Sequence, residues 1–220
     1  MKTKHILTFF FSLFIVLINA QQKDEKSQGV FKNYQPNFMI GVDVLNVGVG
    51  LFSDRKLYQG YISTELKPNL HLVADLGFEK NEFHKNGYDA SASGGFVKLG
   101  TFYMLISDPE NRFNGFYVGG KAAASFYNQQ YDAIPVKGFL GDDVAVAYPQ
   151  SNQSSYWLEA VLGARIQLFS SPIYIDVNFQ PKYLVYTTKQ ESVQPMIVPG
   201  FGKSSSPFRA GFSWALAYHF

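Results

Sequence analysis

Three observations together predict an all-β chain, folded as an eight-stranded antiparallel up-and-down transmembrane β-barrel. Eight stretches have an apolar residue at every second position, no stretch of comparable length has a helical period, and tight connections alternate with long ones. The stretches cover approximately residues 38–45, 57–67, 69–80, 94–106, 115–128, 155–169, 172–187 and 208–220. Lys67-Pro68-Asn69 and Phe169-Ser170-Ser171-Pro172 read as tight turns, and SDPENRFN as a moderate one. NVGVGLFSDRK, NEFHKNGYDASASG, residues 129–154 and TKQESVQPMIVPGFGKSSSP are the longer connections. Short turns on one side and long loops on the other are the habit of barrels whose short turns face the periplasm. An even strand count puts both ends of the barrel segment on the short-turn side.

The chain opens on MKTKHILTFFFSLFIVLINA, with a basic start, an apolar run from Ile6 to Ile18 and Ala20 before a polar stretch. This is the layout of a signal peptide cleaved after Ala20; the run is shorter than the roughly 20 residues an anchor helix needs. Removal of Lys2 and Lys4 with it takes nineteen basic residues to seventeen, equal to the seventeen acidic ones, so nucleic acid is not expected as a partner. The chain has no cysteine, which excludes disulfides, thiolate metal sites and lipid attachment through an N-terminal Cys. Residues 21–37 are polar and aperiodic and read as a flexible lead-in to a barrel at 38–220. No later stretch is long and apolar enough for a membrane helix, so any membrane crossing must use strands.

The parity of each strand separates an apolar face from a charged one. In the first, second, fourth and fifth stretches Asp43, Glu65, Lys67, Lys98 and Lys121 stand opposite the apolar residues. The third sets Leu70, Leu72, Ala74, Leu76 and Phe78 against His71, Asp75 and Glu79. The sixth sets Leu158, Leu162, Ile166 and their neighbours against Glu159 and Arg165; the seventh sets Ile173, Ile175, Val177 and Phe179 against Asp176 and Lys182. The eighth alternates Phe208, Phe212, Trp214, Leu216, Tyr218 and Phe220 with a parity that carries Arg209. Between the first and last apolar residue of each run, no charged residue falls on the apolar parity.

The charged parity is also rich in glycine, alanine and serine, which suits a narrow barrel with only enough room to fill its interior with side chains. Asp43, Glu65, Asp75, Glu79, Glu159 and Asp176 are therefore expected to plug the lumen in mutual pairs with Lys67, Lys98, Lys121, Arg165, Lys182 and Arg209, because a buried charge needs a partner. Aromatics on the apolar parity gather at strand ends. Tyr58, Phe78, Phe126, Tyr156, Tyr183 and Phe208 lie toward the long loops, and Phe38, Tyr103, Phe116, Tyr218 and Phe220 toward the short turns, as two girdles would. Pro181, inside the seventh stretch, lacks a ladder donor and predicts a bulge or a strand end.

Gly41-Val42-Asp43-Val44, Gly60-Tyr61 through Glu65-Leu66-Lys67-Pro68, Leu76-Gly77-Phe78-Glu79, Trp157-Leu158-Glu159 and Val198-Pro199-Gly200-Phe201 are short segments spread over most of the chain. In their order the sequence resembles an uncharacterised outer-membrane β-barrel family of Bacteroidota, a domain-of-unknown-function family. Residues 46–52, NVGVGLF, depart from the family's pattern. The resemblance implies a location in the outer membrane and a barrel fold, without an agreed activity. The terminal strand, with Tyr218 and Phe220, resembles the signal by which outer-membrane barrels reach their assembly machinery.

Catalytic and metal chemistry are thinly represented. His71 and His219 fall near the short-turn end and His84 in a loop, and strand geometry brings no serine and acid to any of them. Gly141-Asp142-Asp143 offers two adjacent carboxylates, short of a calcium ligand set, and VPGFGK at 198–203 lacks the strand-to-helix setting of a phosphate loop. No cofactor is expected. The leading expectation is a monomeric outer-membrane barrel with a charge-plugged lumen, structural or acting through its external loops, with membrane lipid and the assembly machinery as partners. Its alternatives are a secreted soluble barrel binding a small apolar ligand, and a lipid-modifying barrel enzyme.

Overall fold

A computed structural model describes residues 37–136, 138, 144–190 and 193–220. The signal segment, the lead-in up to Pro36 and Gly141-Asp142-Asp143 lie outside the described residues. The strands are β1 (Phe38–Asp43), β2 (Arg55–Lys67), β3 (Leu70–Lys85), β4 (Tyr88–Ser107), β5 (Gly115–Val136), β6 (Val144–Gln167), β7 (Ile173–Thr187), the two-residue β8 (Ile197–Val198) and β9 (Gly202–Lys203), and β10 (Phe208–His219). Eight of them form a closed barrel in the order β1-β10-β7-β6-β5-β4-β3-β2. Each pairs antiparallel with its neighbours, and β1 zips onto β10 from Met39↔His219 to Asp43↔Ala215, so the sheet has no free edge along the ring. The one helix among the described residues, α1 (Val44–Gly50), runs into the first long connection and takes in most of the stretch NVGVGLF. Asp43 caps it, accepting from the Asn46 backbone N–H at 3.0 Å.

Period-two sequence becomes period-two burial. In β1, Phe38, Ile40 and Val42 are exposed while Met39, Gly41 and Asp43 are buried, and the same alternation runs through the middle of the other strands. Register lines up the outward aromatics at the long-loop end. Tyr58 stands opposite Phe78, Phe78 and Phe126 both flank Gly95, and Tyr183 stands opposite Phe208. At the short-turn end Tyr218 and Phe220 pack edge-on with centroids 4.8 Å apart, beside Phe38, whose carbonyl accepts from the Phe220 N–H.

The structure departs from the sequence reading in four places. Strand extensions occupy much of two long connections: β3 and β4 pair out to Lys85↔Tyr88 around Asn86-Gly87, and β5 and β6 to Val136↔Val144. Asn86 and Gly87 both have positive φ, 56° and 78°, which is the backbone a two-residue hairpin turn demands. At Pro181 β7 neither ends nor bulges. The β6 ladder skips the pairings between Glu159↔Lys182 and Leu162↔Phe179 without a change of register, and the shift falls at Tyr156/Trp157 instead. In the last long connection the chain from Val193 on folds inward: Ile197, Val198 and Phe201 are buried with Leu57, Phe96, Tyr127, Trp157 and Leu184.

Glycines on the inner face make room for rings. Gly41, Gly77 and Gly163 stand opposite Tyr61, Phe96 and Tyr117 on neighbouring strands, and a Cβ on any of the three would run into the facing ring. Phe96 is held on both sides, because Gly200 of the inward loop closes on the same ring. The small residues of the charged parity are thus the seats of the large ones.

Candidate functional site

The lumen is the chemically dense part of the chain. Its floor, toward the short turns, is aromatic: His71 stacks on Phe102 with centroids 4.6 Å apart, and Phe113 packs against both His71 and His219. Next comes a knot around Asp176, delivered by β7. Arg165 of β6 donates to it through Nε at 2.8 Å and Nη2 at 2.7 Å, and the hydroxyls of Tyr117 and Tyr61 donate at 2.5 and 3.1 Å. Arg165 and Asp176 are each 1% exposed, and the Phe102 ring faces the guanidinium 5.2 Å from its centroid. A buried pair of this kind needs further hydrogen bonds; the two phenols complete the Asp176 carboxylate, while Arg165 Nη1 is buried with no hydrogen-bond partner among the described residues.

The next levels run toward the long loops. Lys121 of β5 reaches Asp75 of β3 at 2.7 Å. Glu159 of β6 takes two ammonium groups, Lys98 of β4 at 2.9 Å and Lys182 of β7 at 3.5 Å, and accepts from Trp157 Nε1 at 2.7 Å. Glu79 of β3 pairs with Arg55 of β2 at 2.7 Å. The inward loop is bolted to this level by its backbone. The Gly200 N–H donates to Glu79 Oε2 at 2.7 Å, and its carbonyl accepts from Lys182 Nζ at 2.7 Å. Phe201 then meets Trp157 edge-on at 5.9 Å.

Eight of the twelve charged residues expected in the lumen therefore meet there: Asp75, Glu79, Lys98, Lys121, Glu159, Arg165, Asp176 and Lys182. The other four sit differently. Asp43 is buried but serves as the cap of α1. Glu65 is buried and looks to the short-turn side, pairing with Arg112 of the β4–β5 turn at 3.4 Å and accepting from Asn37. Lys67 is corrected outright: the register shifts between Glu65 and Lys67, which sets Lys67 opposite Leu70, a residue of the apolar parity, and leaves it exposed at the tight turn. Arg209 faces inward but stays at the rim, where its guanidinium donates to the Lys203 carbonyl and to Ser205 Oγ, each at 2.6 Å.

Of the histidines, His84 is exposed on the β3–β4 extension and pairs with Asp89 at 2.9 Å. Among the described residues no group of three or more His, Asp or Glu is placed to hold a metal ion.

The chain matches the family described as Domain of unknown function (DUF6048) over residues 2–220. It belongs to that family. No curated protein matches the sequence. Among solved structures it is similar to a major outer membrane protein from Thermus thermophilus, at 13% identity over 85% of this chain and 100% of that one, with a TM-score of 0.48. It is also similar to the N-terminal β-barrel domain of Pseudomonas aeruginosa OprF, at 13% identity over 84% and 100% of the two chains, with a TM-score of 0.35. A third similar structure is the β domain of the Bordetella autotransporter Brka, at 12% identity over 84% and 78%, with a TM-score of 0.36.

Three of the segments that carry the family resemblance come together in space. Gly77 and Glu79, Trp157 and Glu159, and Gly200 and Phe201 build one contact set, through the Phe96 ring, the Glu79–Gly200 bond and the Trp157–Phe201 edge. Two network residues were missed from sequence, Arg55 and Arg112. The sequence pattern puts Arg55 in a long loop, whereas β2 begins with it; Arg112 belongs to a turn, outside any strand parity. The alternating pattern continues one step below Leu57 to Arg55 and was the available signal for the first.

Proposed function

We propose that this protein is an outer-membrane β-barrel with a sealed lumen, serving as a structural component of that membrane or through its loop-side surface. The observation that carries the reading is the inversion of polarity across one sheet. Outward residues such as Leu99, Leu105 and Ile166 are more than half exposed, whereas Asp75 and Glu79 are fully buried inside. A barrel dissolved in water gains nothing from an apolar exterior around charged contents; a barrel in hydrocarbon requires it. The distance between the aromatic levels agrees with this. Gly95, flanked by Phe78 and Phe126, and Tyr103 are eight residues apart on β4, about 26 Å along a strand and about 20 Å in height at a tilt of about 40°.

The soluble ligand-binding alternative needs the apolar parity inside, where it does not lie. A lipid-modifying enzyme would need a histidine working with a nucleophile. His71 is instead stacked on Phe102 with Phe113 edge-on, and His84 is paired with Asp89. We take the membrane lipid and the barrel assembly machinery as partners, the latter meeting the exposed Tyr218 and Phe220, and the state as monomeric. The test is heat modifiability: the detergent-extracted outer-membrane fraction is run on a denaturing gel with and without boiling. Faster migration of the unboiled protein in that fraction supports the reading, and recovery as a soluble protein with no shift overturns it.

A further inference from the structure

We propose that the loop-side mouth of the barrel binds a small hydroxylated anion, a free solute of about monosaccharide size carrying one phosphate or carboxylate group. A cavity of about 300 Å³ opens there between α1, β2, β10 and the inward loop. That volume is at the small end of ordinary ligand sites. Four cations line it, Arg55, Lys182, Lys203 and Arg209, against a single carboxylate, Asp43.

The local charge does not cancel once ion pairs are counted. Arg55 is matched by Glu79. Lys182 and Lys98 share one carboxylate, Glu159, so this level carries two ammonium groups on one acid. Lys203 and Arg209 form no ion pair among the described residues. Five cations thus stand over Asp43, Glu79 and Glu159, a surplus of two positive charges around a concave site, where protein walls reduce screening and favour an anion. Asp43, already counted, forms no ion pair with them; its two oxygens accept from the Asn46 backbone and side-chain amides.

The rest of the lining supplies neutral polar groups, Gln59, Asn81, Gln180 and Ser213, with Phe201 as an apolar wall. Amides, a hydroxyl and a ring beside cations fit a hydroxylated body that bears an acidic group. Bonds from Arg209 Nε and Nη2 to Lys203 O and Ser205 Oγ hold its guanidinium at the rim and leave Nη1 as its open donor. Gly211 keeps the floor open, because a Cβ there would meet Lys182 Cε at 2.7 Å. The cavity opens inside the ring of strands, while lipid headgroups lie outside it, which points to a free solute.

The test is calorimetric titration of the detergent-solubilised full chain with glucose 6-phosphate, with glucose as the uncharged control. Expected are saturable binding of the sugar phosphate, at least tenfold weaker binding of glucose, weakening at high salt, and at least tenfold loss in Arg209→Gln and in Lys203→Gln. Lys85→Gln, on the distant β3–β4 extension, should bind as the parent does. Each variant's gel shift on boiling reports that the barrel has formed. No binding by the parent, equal binding of glucose, or undiminished binding by both rim variants overturns the site. Displacement of the sugar phosphate by lipid A doped into the micelles overturns its assignment to a free solute.

Discussion

Replacing Leu99 with arginine puts a charge at the middle of the proposed apolar band and separates a membrane barrel from a soluble one by magnitude alone. Leu99 is 56% exposed on the outer face, opposite Ala74 on β3 and Ala122 on β5, and four residues from each aromatic level on its own strand. Four residues are about 13 Å along a strand, or about 10 Å in depth at the tilt of such barrels. An arginine at the midplane costs about 2–4 kcal/mol, which lowers the folding equilibrium roughly 30- to 700-fold. Leu105, 61% exposed and two residues past Tyr103 toward the short turn, is the internal control. The same substitution there should cost about 0–1 kcal/mol, being near the interface. Denaturant titration of folding into phospholipid vesicles, read by Trp fluorescence and by the gel shift on boiling, measures both. In a water-soluble barrel both exposed positions would accept arginine within about 0.5 kcal/mol. Equal stabilities for Leu99→Arg and Leu105→Arg would refute the membrane argument.

The glycine seats make a second contrast. Gly77→Ala drives a methyl into the Phe96 ring and should cost about 1–3 kcal/mol in the same titration, whereas at outward Gly95 the nearest atom is 3.7 Å away and alanine should be close to neutral. Asp176→Asn leaves the Arg165 charge buried without its counter-ion and should cost about 3–5 kcal/mol, while the double replacement Arg165→Met/Asp176→Leu should recover most of the loss. A cost below about 1 kcal/mol for the single change would mean that the charges at this level are not coupled. Phe201→Ala removes the ring that anchors the inward loop, a burial of about 3–5 kcal/mol. Trypsin should then cut faster after Lys189 or Lys203 while the barrel still shifts on boiling, and unchanged cleavage would show that Phe201 does not hold the loop.

Strand number and the identity of each face could be read in the sequence because both depend on a local rule, the two-residue period of a pleated chain. That rule places Leu158 outside and Glu159 inside with no knowledge of any neighbour. It failed where the chain leaves the ladder: at Lys67, which the shift after Glu65 turns outward, and at Arg112, which pairs with Glu65 from a turn at the short-turn end. The extension of β3 and β4 was in principle legible from Asn86-Gly87, the strongest short signal for a two-residue hairpin turn.

Partner choice was not legible. That Lys98 and Lys182 share Glu159, rather than each taking an acid of its own, follows from closure. The stagger of eight strands fixes which levels of β4, β6 and β7 meet across the lumen, and no single strand encodes that stagger. The fate of residues 188–207 was decided in the same way. Their polar sequence suits an exposed loop, yet its backbone finds partners on the ring, Gly200 with Glu79 and Lys182, and Gln194 and Met196 with the Tyr131 hydroxyl. By itself the sequence determined an eight-stranded sheet with an apolar side and a charged side. Only the tertiary structure decided how the charges pair, which loop fills the mouth and where positive charge is left over, because those outcomes depend on distances between residues far apart in the chain.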